Sequence, residues 1–229
     1  MDQNFALTPR LALVAELLGK GKCVADIGTD HAYLPARLVL DGKFERAIAS
    51  DVVPGPVENA RRTVEALGIS DRVEVRMAPG LDGIQTGEAD AVAIAGMGGE
   101  LIASILEAGK HVIEVPAVVQ PMTTEERLRK SLGEMGYEIR EEKLVTEGRR
   151  IYTVLRVDYT GEIRIVSEEE AYLGRVYADN PREMASRYME KKKHVLRKAA
   201  AGNRAAGHLA EADALEELLE RLDRYDHRT

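Results

Sequence analysis

The sequence predicts an α/β fold in which a parallel sheet ends in an antiparallel hairpin and a helical domain follows. Three observations support this prediction. Short β-branched segments alternate with longer amphipathic segments up to about Gly136, which is typical of a parallel sheet covered by helices. Two extended segments then meet at Glu147-Gly148, a hairpin turn signal. From Ser167 onward no strand signal remains. We therefore expect two domains, residues 1–160 and 161–229.

Within the first domain, runs rich in valine, isoleucine and alanine define the parallel strands. The predicted strands are Lys22–Ile27, Arg46–Ser50, Arg72–Met77, Ala89–Ala95 and Ala117–Gln120. The predicted helices are His31–Asp41, Pro56–Leu67, Glu100–Ala108 and Thr124–Met135. Proline suits the first position of a helix, where its missing N–H costs nothing. The hairpin strands are Tyr137–Thr146 and Arg149–Val157.

Two helices are predicted in the second domain. Ser167 begins the first, with Glu170 in the capping-box position. This helix is expected to reach about Ala201 and to be broken by Gly202-Asn203, before a second helix over Leu209–Tyr225. The short turn predicts a coiled-coil-like helical hairpin. Its facing residues are expected to be Met184, Tyr188, Val195 and Ala199 against Leu215, Leu218, Leu222 and Tyr225.

Composition limits the possible classes of protein. The 229 residues are 45% hydrophobic and 31% charged, and no apolar run reaches the length of a membrane span. The first ten residues do not resemble a secretory signal. Cys23 is the only cysteine, and the five histidines show no metal-binding spacing. We expect a cytoplasmic protein with no membrane partner and no metal.

Charge is distributed unevenly along the chain. The net charge is −7, yet the stretch from Pro181 to Arg204 holds eight Lys or Arg residues and two acids. Such asymmetry indicates a basic arm on an acidic body. One helix stripe contains Arg187, Lys191, His194 and Lys198, and a neighbouring stripe contains Lys193, Arg197 and Arg204. Few acids in the segment can pair with these residues, so we favour phosphate contact over an ordinary solvated face.

The segment VADIGTDHAYLP, at the end of the first strand, indicates a cofactor site. Asp26 and Gly28 form a strand end and turn, and Asp51 follows the second strand, where an acid can accept both hydroxyls of a ribose. This pattern fits NAD or S-adenosylmethionine. Asp30 stands where a dinucleotide site has glycine, and its carboxylate would repel a pyrophosphate. The sulfonium and ammonium of S-adenosylmethionine would instead be attracted. His31 could accept a proton, contact a base or act as a helix cap.

Two later segments also end strands of the predicted sheet. Met77–Ile84 is expected beside the adenine of the cofactor, or else as a plain surface turn. Ala93–Leu101 carries three glycines within four residues, which exposes backbone where ligands bind in such sheets. The candidate cofactor contacts here and next to Asp51 are Val52, Gly80, Leu81, Asp82, Ala95, Gly96, Met97, Gly98 and Gly99. Enzymes that methylate exocyclic amines often have an acid or Asn followed by two prolines at this place. This segment has no such residues, which favours a ring nitrogen over an exocyclic amine as the methyl acceptor.

Four segments together resemble the bacterial tRNA (adenine-22-N1)-methyltransferase family. They are ADIGTDHAYLP, AIASDVVPGPVENA, IAGMGGELI and Val118-Val119-Gln120-Pro121. The match runs in order from an opening helix over Leu7–Leu18 to the C-terminal helical hairpin. The resemblance implies a Rossmann-like class I methyltransferase domain, a fold that closes with an antiparallel hairpin. It also implies S-adenosylmethionine as donor and N1 of one adenine in the tRNA D-arm region as acceptor.

The resemblance implies roles for individual residues. Asp26, Gly28, Asp30 and His31 match its cofactor pocket, Asp51 its ribose-binding acid, and Gly96 to Gly99 its GMGG motif. Of these, Asp30, His31, Gly96 and Met97 are the candidates nearest the reaction. The candidate tRNA contacts are Gln120, Pro121, Arg187, Lys191, Lys193, Arg197, Lys198 and Arg204. One departure is Ala78-Pro79-Gly80-Leu81, because relatives often have a polar residue before that glycine. An NAD-linked oxidoreductase and a non-catalytic RNA-binding protein remain alternatives, and a monomer is favoured.

Overall fold

A seven-stranded sheet forms the centre of the protein. The computed structural model describes residues 5–112 and 114–226; residues 1–4 and 227–229, the outer ends of the two predicted domains, lie outside the described residues. The strands are β1 (Gly21–Ile27), β2 (Phe44–Asp51), β3 (Val73–Met77), β4 (Ala91–Gly98), β5 (Ala117–Thr123), β6 (Tyr137–Glu147) and β7 (Arg150–Tyr159). Their order in the sheet is β3-β2-β1-β4-β5-β7-β6. The first five are parallel and the β6–β7 hairpin is antiparallel. The predicted fold class is confirmed.

Helices cover both faces of this sheet and form the C-terminal part of the chain. They are α1 (Pro9–Leu17), α2 (Tyr33–Leu40), α3 (Pro54–Ala66), α4 (Gly99–Ala108), α5 (Glu125–Glu134), α6 (Glu168–Leu173), α7 (Val176–Asp179), α8 (Arg182–Ala205) and α9 (Leu209–Asp226). The last five residues of β1 are all buried, as expected for a strand covered on both faces. One apolar cluster lies on each face of the sheet. Among the described residues, no helix is long and apolar enough to cross a membrane.

The C-terminal helices differ from the predicted pair in two ways. The segment after Ser167 forms three helices rather than one, because Gly174 takes a φ of +51°, which a helix cannot contain, and Pro181 follows Asn180. The predicted break at Gly202-Asn203 is wrong, since α8 continues through it to Ala205. The helix ends instead at Gly207, which has a φ of +82°. The N–H groups of Gly207 and His208 donate to carbonyls of the last helical turn.

The helical hairpin packs through the predicted face of α8 at the start of that helix and through a neighbouring face further along it. Met184 and Tyr188 lie in the shared apolar cluster, as predicted, together with Leu215, Leu218 and Leu222 of α9. Val195 is 63% exposed and Ala199 is exposed, whereas Leu196 and Ala200 are buried. Leu196 packs with Leu218, Leu219 and Leu222 of α9. This cluster also includes Leu144 and Ile151 of the β6–β7 hairpin. The C-terminal helices therefore share a core with the end of the sheet.

A buried ion pair joins α5 to the hairpin and the C-terminal helices. Arg129 and Glu142 are 2% and 0% exposed, and the guanidinium donates to the carboxylate and to the Ala171 carbonyl at 2.5 Å. Glu142 also accepts from Thr153 Oγ1 at 2.9 Å and from the Arg175 N–H at 2.9 Å. Burial alone would lower the pKa of Arg129, but the facing carboxylate outweighs it and raises that pKa. The pair holds the C-terminal helices in one place on the sheet.

Candidate active site

The carboxyl ends of three neighbouring strands bring the predicted cofactor residues together. β1 ends at Ile27 beside Ser50 of β2 on one side and Ile94 of β4 on the other. The turn after β1, the acid that ends β2 and the glycine-rich end of β4 therefore lie side by side. Ligands of open α/β sheets bind at this edge, at the point where the connections of neighbouring strands diverge to opposite sides.

The turn after β1 is built around Gly28. Its φ is +77°, and a Cβ there would overlap the terminal methyl of Met97. The N–H groups of Gly28 and Thr29 donate to the Ser50 carbonyl at 2.8 and 3.0 Å. These contacts close the turn onto β2 and place the GMGG methionine directly over it. Gly28 and Met97, separated by almost seventy positions, are thus adjacent in the site.

Asp26 is a buried acid without a cationic side chain beside it. It is 7% exposed, and among the described residues no ion pair with a basic side chain includes it. Its pKa is raised to about 6: burial has the largest effect and raises it, the Thr29 hydroxyl lowers it through a hydrogen bond, and the nearby Asp51 carboxylate raises it. The two carboxylates therefore interact across the end of the sheet.

Asp51 ends β2 with its side chain folded toward the chain that follows. One carboxylate oxygen accepts the Val53 N–H at 2.7 Å, which fixes the rotamer and leaves acceptor capacity on the carboxylate. Val52 and Val53 are exposed, at 61% and 50%. An oriented acid beside exposed apolar groups suits a ribose with a flat base next to it.

Asp30 and His31 lie at the mouth of the site. His31 Nε2 is 3.3 Å from Asp30 Oδ2, and both side chains are substantially exposed. The His31 ring stacks on Tyr33 with centroids 5.2 Å apart, and Phe5 packs on the Tyr33 ring at 5.5 Å. Asp30 thus places negative charge at the turn, as the sequence predicted, and His31 belongs to an aromatic stack.

The segment after β3 contributes less side-chain surface than expected. Leu81 is 4% exposed and packs in the core against Gly109, so its side chain does not face the site. The Leu81 and Ile84 carbonyls lie 3.2 and 2.9 Å from His111 Nε2, which ties down the turn. Gly80 has a φ of +52° and Asp82 is exposed. Backbone and Asp82 remain the groups available to an adenine ring here.

The GMGG segment is the bulged end of β4 rather than a loop. The register with β5 shifts between Ala95 and Met97, and Gly96 takes a φ of +82°. Gly98 is the N-cap of α4 and Gly99 is its first residue. A Cβ at Gly99 would come 2.5 Å from the Thr124 carbonyl, so close packing against α5 accounts for that glycine. Gly96 therefore presents backbone at the site, next to Ala95.

Gln120 holds the bulge in position. Its Oε1 accepts the Gly96 N–H at 3.1 Å and Arg10 Nη1 at 2.7 Å, while its Nε2 donates to the Pro121 carbonyl at 2.6 Å. Gln120 is 0% exposed and Pro121 is also buried. The prediction that these two residues touch the target base is therefore wrong for this conformation: the amide of Gln120 is used up inside the protein.

The two predicted basic stripes of α8 have different surroundings. Arg187, Lys191, His194 and Lys198 are exposed. Lys193 is 3% exposed and bonds Asp223 at 2.9 Å, while Arg204 bonds Asp213 and Glu216 of α9 at 2.6 and 2.7 Å. Arg197 lies 3.5 Å from Glu190. The expectation that few acids would pair with these cations is wrong for this second stripe, because α9 supplies most of them.

Sequence reasoning missed Arg10, Thr29 and Tyr33. Thr29 and Tyr33 lie within the DIGTDHAYLP motif, so their proximity to Asp26 and His31 could have been read from spacing. Arg10 had no such signal, because it lies in α1 and reaches Gln120 only through the folded chain.

The residues at this edge fit S-adenosylmethionine. Asp26 and Asp51 have no cationic side-chain partner among the ion pairs of the described residues, and Asp30 adds further negative charge at the Gly28 turn. These acids suit a cation and ribose hydroxyls, and they oppose a pyrophosphate. No group of three metal-ligating side chains occurs among residues 5–112 and 114–226.

A groove of about 770 Å³ lies elsewhere, at the amino edge of the sheet. It is lined by residues that include Arg129, Tyr137, Thr160 and Ile163. β7 runs antiparallel to β5, so its last residues lie at the opposite edge from Gly96. This groove is therefore separate from the strand ends and acids that form the candidate active site.

Comparison with known sequences identifies relatives that match about two thirds of the chain. Residues 7–155 match the family model of a methyltransferase domain. The chain is 43% identical over 151 residues to the tRNA (adenine(22)-N(1))-methyltransferase of Bacillus subtilis (strain 168), a match that covers 65% of this chain and 63% of that protein. The matched region is thus less than two thirds of that relative's length.

Solved structures match over a larger part of the chain. The crystal structure of a B. subtilis tRNA methyltransferase is similar with a TM-score of 0.79 and 31% identity, covering 97% of this chain and 96% of that one. A putative tRNA methyltransferase of Streptococcus pneumoniae in complex with S-adenosyl-L-methionine has a TM-score of 0.80 and 32% identity, covering 93% of this chain and 100% of that one.

Proposed function

The chain belongs to the bacterial tRNA (adenine-22-N1)-methyltransferase family, and from this premise we propose that it transfers a methyl group from S-adenosylmethionine to N1 of adenine 22 in tRNA. The observation that carries the proposal is the arrangement of Asp26, Gly28, Asp51 and Gly96 at one sheet edge. The relatives named for this activity share the fold over nearly the whole chain.

The cofactor would be held by the acids of β1 and β2. Asp51, oriented by the Val53 N–H, would accept the ribose hydroxyls, and Asp26 or Asp30 would face the cationic methionine end. S-adenosylmethionine supplies a methyl group made electrophilic by its sulfonium. Backbone of Ala95 and Gly96 provides oxygens without a side chain between them and the reacting groups.

Adenine N1 needs alignment more than activation. Adenine N1 carries no proton and has a lone pair in the plane of the ring. No group therefore has to remove a proton before N1 attacks the methyl carbon. N1 lies on the Watson–Crick edge, and the base has to leave any stack to reach the site. The protein's contribution is then a fixed position for the base and electrostatic stabilisation at the Gly96 backbone, held by Gln120 and Arg10. His31 and Asp30 are placed at the mouth, where they can contact the incoming base.

The proposal includes a division of labour and a location. Residues 1–160 would bind the cofactor, and residues 161–229 would hold tRNA through the exposed stripe Arg187, Lys191 and Lys198 of α8. We place the protein in the cytoplasm, with its tRNA substrate, acting as a monomer. An NAD-linked oxidoreductase is disfavoured by Asp30 at the turn, and calorimetry with NAD against S-adenosylhomocysteine distinguishes the two.

Methylation of a tRNA transcript tests the proposal. The transcript is incubated with labelled S-adenosylmethionine and the modified base is mapped by primer extension, which stops at N1-methyladenine. We expect one mark at position 22 and none on a matched transcript with guanine at that position. A mark on an exocyclic amine, or no incorporation at all, would refute the proposal; tRNA binding without incorporation would favour a non-catalytic RNA-binding protein.

A further inference from the structure

The turn of the β6–β7 hairpin lies between the candidate active site and α8. We call Glu147–Arg150 the hairpin tip. The Arg10 backbone N–H donates to Glu147 Oε2 at 3.1 Å. On the other side of the turn, Lys191 Nζ of α8 donates to the Arg149 carbonyl at 3.0 Å. The tip is thus held at both ends, by the first helix of the chain and by the basic helix.

This arrangement connects the tip to the GMGG bulge. Arg10 Nη1 donates to Gln120, and Gln120 accepts the Gly96 N–H. The Arg10 guanidinium also lies over the Tyr152 ring of β7, 5.6 Å from its centroid. A short series of direct contacts therefore runs from Gly96 through Gln120 and Arg10 to the tip, and from the tip to Lys191.

The tip carries two exposed cations. Arg149 and Arg150 are exposed, and neither side chain takes part in an ion pair in the described part of the chain. Glu147, the acid of the same turn, is engaged by Arg10. Exposed guanidinium groups that form no internal ion pair are available to an external anion. The planar arrangement of their N–H donors suits a phosphate.

The rest of the basic surface divides into available and neutralised cations. On α8, the exposed stripe of Arg187, Lys191 and Lys198 forms no ion pair within residues 5–112 and 114–226, and Lys191 adjoins the tip. Arg197 and Arg204 are matched by Glu190, Asp213 and Glu216. The available positive charge thus follows one face, from the edge of the active site to α8.

We propose that Arg149 and Arg150 bind tRNA phosphates adjacent to the target adenine and, with the exposed stripe of α8, form one phosphate-binding track. The inference rests on the proposed function, since it assigns the substrate's backbone to this surface. Phosphate contacts position a nucleic acid without reading its sequence. Contacts next to the Gly96 bulge would hold the strand while one base leaves its stack, and contacts along α8 would hold the rest of the arm.

Two double variants with the same loss of charge test the proposal. One is Arg149→Ala with Arg150→Ala; the control is Arg197→Ala with Arg204→Ala, which removes cations already neutralised by acids. The dissociation constant for an unmodified tRNA transcript is measured without methyl donor at several salt concentrations. We expect the tip variant to bind about tenfold or more weakly and to lower the salt slope by about two, one for each phosphate contact.

The control should bind tRNA within about threefold of the parent, and Arg149→Lys with Arg150→Lys should recover most of the affinity because the charge is retained. Affinity for S-adenosylhomocysteine should be unchanged in the tip variant, which shows that the cofactor domain is intact. Parent-like tRNA binding by the tip variant, or an equal loss in the control, overturns the inference.

Failure of the proposed function would look different. A parent protein that binds tRNA through the tip but transfers no methyl group refutes the methyltransferase proposal and leaves the binding surface supported. A parent protein that methylates adenine 22 while the tip variant binds and methylates equally well refutes the tip alone. No tRNA binding by the parent overturns both.

Discussion

Arg10 and Gln120 are 110 positions apart in the chain, and Arg10 Nη1 donates to Gln120 Oε1 at 2.7 Å. The same oxygen accepts the Gly96 N–H at 3.1 Å. A helix at the start of the domain and the fifth strand thereby hold the backbone at which the methyl transfer is proposed to occur. The bulge at Gly96 has no side chain of its own to keep it in place, so this amide oxygen supplies the constraint.

Replacing Gln120 by leucine should impair turnover more than cofactor binding. The change leaves the Gly96 N–H and the Arg10 guanidinium without their acceptor, which costs about 1–3 kcal/mol for a buried polar group. We expect kcat to fall by about tenfold or more, with a smaller change in affinity for S-adenosylhomocysteine, measured by single-turnover methylation and by calorimetry.

Gln120→Glu is the matched variant, because it keeps an oxygen for both donors and loses the bond to the Pro121 carbonyl. It should retain more activity than Gln120→Leu. A leucine variant that turns over like the parent would show that Gly96 keeps its conformation without the amide.

Asp51→Ala should weaken cofactor binding. A hydrogen bond to a charged acceptor contributes about 1.5–3 kcal/mol, so we expect a loss of roughly 10- to 100-fold in affinity for S-adenosylhomocysteine by calorimetry. Asp71→Ala removes the same charge at an exposed position before β3, at the other end of the sheet. An equal effect in both variants would show that net charge, and not the ribose contact, determines affinity.

Asp26 should make stability depend on pH. Its pKa rises from 3.8 to about 6 on folding, so between these values the folded protein holds a proton that the unfolded chain has lost. Stability from this group is therefore present below pH 4 and falls as the pH rises through about 6, by about 3 kcal/mol in total. Asp26→Asn removes this dependence. Its free energy of unfolding relative to the parent should rise by about that amount between pH 4 and pH 7.5, measured with urea.

Thr29→Val provides the internal check. The Thr29 hydroxyl lowers the pKa of Asp26, so its removal should move the loss of stability to higher pH. A difference between Asp26→Asn and the parent that is the same at every pH would contradict the burial argument.

Arg129 and Glu142 should be strongly coupled in stability. Removing one partner leaves an uncompensated buried charge, so Arg129→Met and Glu142→Gln should each cost about 3–5 kcal/mol in urea unfolding. Arg129→Met combined with Glu142→Leu should cost much less than the sum of the two single changes. Additive costs would show that the two residues act independently, for example through the Ala171 and Thr153 contacts.

The pattern along the chain was sufficient for the sheet and for the placement of Asp26 and Asp51 at the same edge of it. Strand–helix alternation is a local property, and the acids Asp26 and Asp51 end strands whose neighbours follow from the parallel order. Leu81 shows what this pattern cannot decide. Its side chain turns into the core against Gly109, so any contact between Leu81 and the cofactor has to come from its backbone. The direction of that side chain depends on packing against a residue distant in sequence.

The sequence by itself determined the order of the strands and of the helices between them, the acids at the strand ends and the stretch of α8 that carries the positive charge, because each follows from residues near one another in the chain. The tertiary structure alone decided which cations remain available. Lys193 and Arg204 are bonded by acids of α9, while Arg149 and Arg150 are brought beside Lys191. Such partners depend on the rotation and register with which elements pack, and these are set by side chains distant in sequence.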